Sequence, residues 1–173
     1  MKRFLILFVA LVLCVGTVGC SGTNQNVQTD EEIYELLKDY SDEVKELQID
    51  LSSARSDIYS AHSRSNPMER LEQAYQEGIE AADKLINLEA PEQMKEAQIH
   101  YAKGAEFEKA SFEYLYNHMK FYLETNDILA ATDSEDYILA NDNYADALDE
   151  YSDGSRLFQK VFDEYKEKVK GYK

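Results

Sequence analysis

The sequence predicts an all-α chain: an antiparallel up-down-up-down four-helix bundle with coiled-coil-like packing. Three observations predict it. Apolar residues return at alternating steps of three and four over long stretches, a period that strands cannot use. Only 7 Gly and 2 Pro occur in 173 residues, too few turn-formers for a β-sandwich or barrel. Hydrophobic residues make up 44% of the chain and charged residues 30%, so a packed core can form and wholesale disorder is excluded.

The first helix starts at a capping box. Glu32 follows Thr29 by three residues, and Asp30 and Glu31 occupy the first turn, where the helix dipole favours negative charge. Ile33, Leu37, Tyr40, Val44, Leu47, Leu51, Ala54 and Ile58 then form one heptad seam, and the helix runs to about His62. Ser63 to Asn66 is a turn. Asn66 is the expected cap of the second helix, with Pro67 at its first position and Glu69 closing a second capping box. Its seam is Met68, Leu71, Tyr75, Gly78, Ala82 and Leu85, and it stops near Glu89, because Pro91 disfavours helical backbone at Ala90.

Pro91 opens the third helix, whose seam begins Met94, Ala97, Tyr101, Ala105. From Phe107 to Leu123 this helix is apolar around most of its girth, which places it near the centre of the bundle. It frays between Asp127 and Ala131, giving a third helix near forty residues long, and Thr132 with Glu135 is a third capping box. The fourth helix carries an aromatic every seven residues, at Tyr137, Tyr144, Tyr151, Phe158, Tyr165 and Tyr172. Asn141, Leu148, Ser155, Phe162 and Val169 form the other half of its expected seam. Gly78, Gly104 and Gly154 leave room for close packing beside these rings. Short connections make such helices antiparallel neighbours, and a heptad period selects shallow crossing angles. The alternative is a kink at Pro91 that joins the second and third helices and leaves three long helices.

The N-terminal end reads differently. Lys2 and Arg3 precede an unbroken apolar run from Phe4 to Val15, too short for a permanent bilayer span, which needs ~20 residues. Thr17-Val18-Gly19-Cys20 follows. This stretch resembles the lipobox of prokaryotic lipoproteins, with small Gly19 before the required Cys20 and with Thr17 where that family usually has Leu. The resemblance implies cleavage between Gly19 and Cys20 and a diacylglyceryl group on Cys20, so that the membrane lipid is a partner. The mature chain would then hold one acylated Cys and no disulfide. A plain secretory signal cut nearby and an uncleaved anchor are the alternatives. The expected organisation is a signal peptide over residues 1–19, a lipidated Cys20 and flexible tether over 20–29, and a helical bundle over 30–173. The expected location is the outer face of the cytoplasmic membrane or another extracytoplasmic membrane surface.

Charge narrows the partners. A formal net charge of −16 excludes nucleic acid, whose phosphates would repel the chain. Asp142, Asp146, Asp149 and Asp153 step along one face of the fourth helix, where like charges cost ~0.2–0.5 kcal/mol each unless a cation or basic surface offsets them. They form a candidate acidic interaction face for a basic protein or a divalent cation; a solvated outer face is the plainer reading. Lys160, Lys166, Lys168, Lys170 and Lys173 form a candidate membrane-facing basic end, or else simply complement the helix dipole. With 3 His and 2 Cys, no metal centre or cofactor site is expected. Glu96 and His100 share a helix face, but no second copy of the pair exists. No nucleophile constellation, His-Glu-x-x-His or phosphate-binding loop is present, so the chain is not expected to be an enzyme. The function expected is that of a membrane-anchored interaction or accessory module. The alternative is a solute- or cation-binding protein that uses the acidic face or an aromatic-lined pocket.

Overall fold

The computed structural model describes residues 28–127, 132 and 134–171. Four helices make up the bundle: α1 (Asp30–Ser60), α2 (Pro67–Ile86), α3 (Lys95–Thr125) and α4 (Glu135–Gly171). A single 3-10 turn, Ala61–Ser63, closes α1, and another, Glu92–Met94, leads into α3. No strand occurs among the described residues.

Every neighbouring pair is antiparallel. Gln98 of α3 donates to the Leu85 carbonyl of α2 at 2.8 Å and accepts from the Tyr40 hydroxyl of α1 at 2.7 Å, so one amide ties three helices together. Lys109 reaches back to Asp83 at 2.6 Å. Helices α2 and α3 are therefore two arms of a hairpin, and the three-helix alternative with a kink at Pro91 is wrong. Pro91 lies outside both helices, with extended backbone.

The α1 seam is buried throughout, from Ile33 to Ile58, and Thr29 and Glu32 form the full capping box. Three terminal expectations need correction. Asn66 adopts left-handed backbone (φ 56°), so its side chain cannot accept from the helix; its amide instead donates to Glu69 at 3.0 Å. The cap of α4 is Ser134 rather than Thr132, and its hydroxyl accepts from the Tyr137 amide at 3.2 Å. At 31 residues, α3 is shorter than expected: the 3-10 turn takes its start, and left-handed Asn126 stops it at Thr125.

The larger correction concerns α4. Its aromatics from Tyr137 to Tyr165 do face the bundle, and Tyr172 lies outside the described residues; their partners on the buried stripe are Ala140, Ala147 and Gly154, each one residue before the expected Asn141, Leu148 and Ser155. Leu148 is 48% exposed. Small residues win this position because α4 packs most extensively on α3 and approaches it closely. A Cβ on Gly104 would lie 2.5 Å from the Tyr151 ring and 3.1 Å from the Ala147 carbonyl oxygen. A Cβ on Gly154 would lie 3.1 Å from the Tyr101 ring and 3.2 Å from the Ala97 carbonyl oxygen. The two notches are reciprocal. Ala97, Tyr101 and Gly104 on α3 meet Ala147, Tyr151 and Gly154 on α4, the same residue types at the same spacing in opposite directions.

Substitution at the tighter notch tests this packing. Gly104→Ala gains about 1 kcal/mol of helix propensity, but overpacking against Tyr151 costs about 1–3 kcal/mol. Its denaturant midpoint should therefore fall below that of Gly154→Ala, which faces looser contacts. Equal midpoints would show that the rings yield freely.

Candidate functional site

Helices α1 and α4 meet less extensively than α3 and α4 do, and a groove runs between them. It has two halves that share Gln48 and Ser155. The half nearer the start of α1 has a volume of about 480 Å³ and is lined by Tyr40, Val44, Tyr101, Phe158 and Phe162, with Lys38 and Lys45 also lining it. Its rings touch one another: Phe158 stacks on Phe162 at 5.3 Å between centroids, and Tyr40 lies 6.4 Å from Phe158. The other half has a volume of about 350 Å³ and is lined by Ser52, Glu108, Tyr144, Leu148, Tyr151 and Ser152.

The polar half adjoins a buried charge cluster. Arg55 on α1 is 7% exposed and Glu108 on α3 is 3% exposed. Arg55 Nε stands 3.5 Å from Glu108 Oε1, a loose ion pair. Arg55 also donates to Ser111 Oγ at 2.9 Å, and Ser111 in turn donates to the Ala140 carbonyl of α4 at 2.5 Å. The guanidinium lies over the Tyr144 ring, 3.8 Å from its centroid, with the Phe112 ring at 5.1 Å. Among the described residues, two buried polar atoms lack a hydrogen-bond partner, and both belong here: Arg55 Nε and the Tyr151 hydroxyl. Burial drives the Glu108 carboxyl above its ordinary range, with the guanidinium opposing. Burial, then the Glu108 charge, drives the Tyr151 hydroxyl far up.

The expected site residues lie elsewhere. Asp142, Asp146 and Asp149 are exposed, Asp153 is half-buried and pairs with Arg156 at 3.0 Å, and none of the four lines the groove. Lys160 and Lys166 are exposed; Lys168 pairs with Glu164 and Lys170 with Glu167, both at 2.7 Å. Cys20 and Lys173 lie outside the described residues. His100 pairs not with Glu96 but with Glu150 of α4, at 2.7 Å; Lys103 reaches the same carboxylate at 2.5 Å. Lys103 first and His100 second hold Glu150 below its ordinary value. Among the described residues, no three of His, Cys, Asp and Glu could together hold a metal ion, and no helix is long and apolar enough to cross a membrane.

Arg55, Glu108 and Ser111 are the residues that the sequence reading missed. A signal for the two charges existed. Arg55 falls in phase with Leu51 and Ile58, and Glu108 with Ala105 and Phe112, so each is a charge placed on an apolar stripe. Compared with protein-family models, with curated proteins and with solved structures, the chain shows no match to any.

The cluster makes a signed prediction. A carboxyl whose folded pKa exceeds its unfolded value binds its proton more tightly when folded, so stability falls as pH rises through that interval. The urea midpoint of the wild type, measured relative to Glu108→Gln, should therefore decline as pH rises above 4.5, the ordinary glutamate value. A flat difference would show that Glu108 titrates as an ordinary carboxylate. Glu108→Ala leaves Arg55 buried without its counter-charge and should cost about 3–5 kcal/mol.

Proposed function

We propose that the protein is an extracytoplasmic membrane lipoprotein, held by an acylated Cys20, whose helical bundle works by contact with a partner rather than by catalysis. The observation that carries this reading is the order of features at the N-terminal end: two basic residues, a twelve-residue apolar run, Thr-Val-Gly-Cys, then a polar stretch that ends at the Thr29 cap. Eight residues lie between Cys20 and Thr29, which is at most about 30 Å of extended chain. The bundle would therefore stand close to the bilayer, with the start of α1 and the end of α4 toward it and the α3–α4 connection away.

The partner surface proposed is the outer face of α4. Asp142, Asp146 and Asp149 are exposed there at helical spacing, and a basic partner would relieve their mutual repulsion. The basic end has a weaker claim. Its lysines alternate with Asp163, Glu164 and Glu167, and two of them are already paired, so little charge is left for anionic lipid.

Two measurements test the reading. Mass spectrometry of the wild-type chain from membranes should find its N-terminus at Cys20, with a diacylglyceryl mass. Cys20→Ala should lose that mass and retain residues 1–19. An unmodified wild-type chain, or one cut elsewhere, would refute the anchor. Crosslinking on intact membranes should capture one dominant partner, and replacing Asp142, Asp146, Asp149 and Asp153 together by Asn should abolish the capture. A partner captured equally well by that variant would refute the acidic face.

A further inference from the structure

Both edges of the α1–α4 groove carry charges, and their signs are complementary. On α1, Lys38, Asp42 and Lys45 line the groove. On α4, Ser152 and Gln159 line it, and Arg156 and Asp163, each four residues further on, continue the same edge outward. Asp153 joins that edge through its 3.0 Å pair with Arg156. None of these six charges is ion-paired across the groove. Lys38 pairs with Glu35 at 2.8 Å, Lys45 with Asp42 at 3.8 Å and Arg156 with Asp153, all neighbours on one helix. Exposed pairs of that kind contribute little and exchange readily.

The antiparallel register puts the signs in step. Residues 38–48 of α1 lie opposite 155–162 of α4, and 48–52 lie opposite 144–155. Lys38 is therefore nearly level with Asp163, Asp42 with Arg156, and Lys45 with Asp153. Next in line are two exposed apolar side chains, Ile49 on α1 (64% exposed) and Leu148 on α4 (48% exposed). A two-fold axis parallel to the helices keeps every residue at its own height and lays α1 of one copy on α4 of the other. Each sign then meets its opposite, twice over, and Ile49 meets Leu148. The two grooves become the centre of a second four-helix array in which every neighbour is antiparallel. Two copies repel overall, because each carries a net charge of −16. On this face three positive and three negative charges cancel, so contact adds attraction where the copies are closest. The groove lining runs from Tyr144 to Phe162, about 27 Å, and the face is two helices wide, about 20 Å. Such a face buries about 500 Å² per copy, or about 1,000 Å² in all, the lower bound for a specific interface.

We infer that two copies of this chain associate through their α1–α4 faces, α1 of each against α4 of the other, about a two-fold axis parallel to the helices. The dimer is weak and reversible. Both α1 starts lie at one end, as two anchors in one bilayer would require, but the inference rests neither on the anchor nor on a partner at the acidic outer face.

Charge reversal tests it. Two differently tagged full chains are expressed in the same membranes and solubilised in mild detergent, and capture of one tag is scored for the other. Wild-type copies should capture each other. Lys38→Glu with Lys45→Glu sets acids against Asp163 and Asp153 and should reduce self-capture at least tenfold; Asp153→Lys with Asp163→Lys sets bases against Lys45 and Lys38 and should do the same. One copy of each variant, expressed together, should capture each other as well as two wild-type copies do. That recovery also controls for folding, since misfolded variants could not restore each other. Asp142→Asn with Asp146→Asn alters only the outer face and should leave self-capture unchanged, so this inference and the acidic-face reading fail separately. Wild-type copies that do not capture each other, self-capture that survives either reversal, a mixture that does not recover, or loss of self-capture in Asp142→Asn with Asp146→Asn would each overturn the proposal.

Discussion

The clasp between α3 and α4 is the constraint on which the rest of the architecture depends. Two tyrosines each occupy the space where the opposing helix has a glycine, and no larger residue could stand there without moving a ring or a backbone carbonyl. Close approach brings ring and backbone into dense contact, where many small dispersion gains add up. The consequence falls on the side of α4 that faces α1. A helix drawn tightly to one neighbour stands further from the other, so the seam with α1 is left as a groove with exposed Leu148 in its wall. Clasp and groove are two faces of one packing decision.

The charge cluster sits where that decision leaves it. Arg55 reaches from α1 toward α3 and α4, and its contacts are many but individually imperfect: a long ion pair, one good bond to Ser111, and a ring on which the guanidinium rests. Burying an ion pair is seldom a net source of stability, because the desolvation of two charges rivals their attraction. What the cluster contributes is registration. Through Ser111 it links the α1 guanidinium to a backbone carbonyl of α4, so sliding either helix by one turn would strand a buried charge.

Much of this was legible in the sequence, and the rest was hidden for definable reasons. The α1 seam, the Thr29 cap and the up-down-up-down order follow from heptad spacing and turn chemistry, which are local signals. The α4 stripe was misplaced by one residue because a heptad count rewards large apolar side chains. Leu148 fits the count better than Ala147 does, and nothing in the count favours Gly154 over Ser155, yet close approach selects Ala147 and Gly154, while Phe162 packs against the core as expected. Asn66 looked like a cap because Asn followed by Pro usually is one, but its left-handed backbone turns the side chain away. The groove was not legible at all, because it exists only where α4 packs less extensively on α1 than on α3. The acidic face could be read as a face, since Asp spacing defines it; whether anything meets it depends on a second molecule.

The reciprocal motif has a further consequence, for folding. A pattern that recognises its own antiparallel copy carries no information about which chain that copy belongs to. Within one molecule, the connection between α3 and α4 is short, and it sets an effective local concentration in the millimolar range. That advantage, not the contact itself, makes the hairpin close on its own chain. When many copies crowd together, the margin narrows, and exchange of α4 between neighbours is the misassembly that this sequence is built to risk.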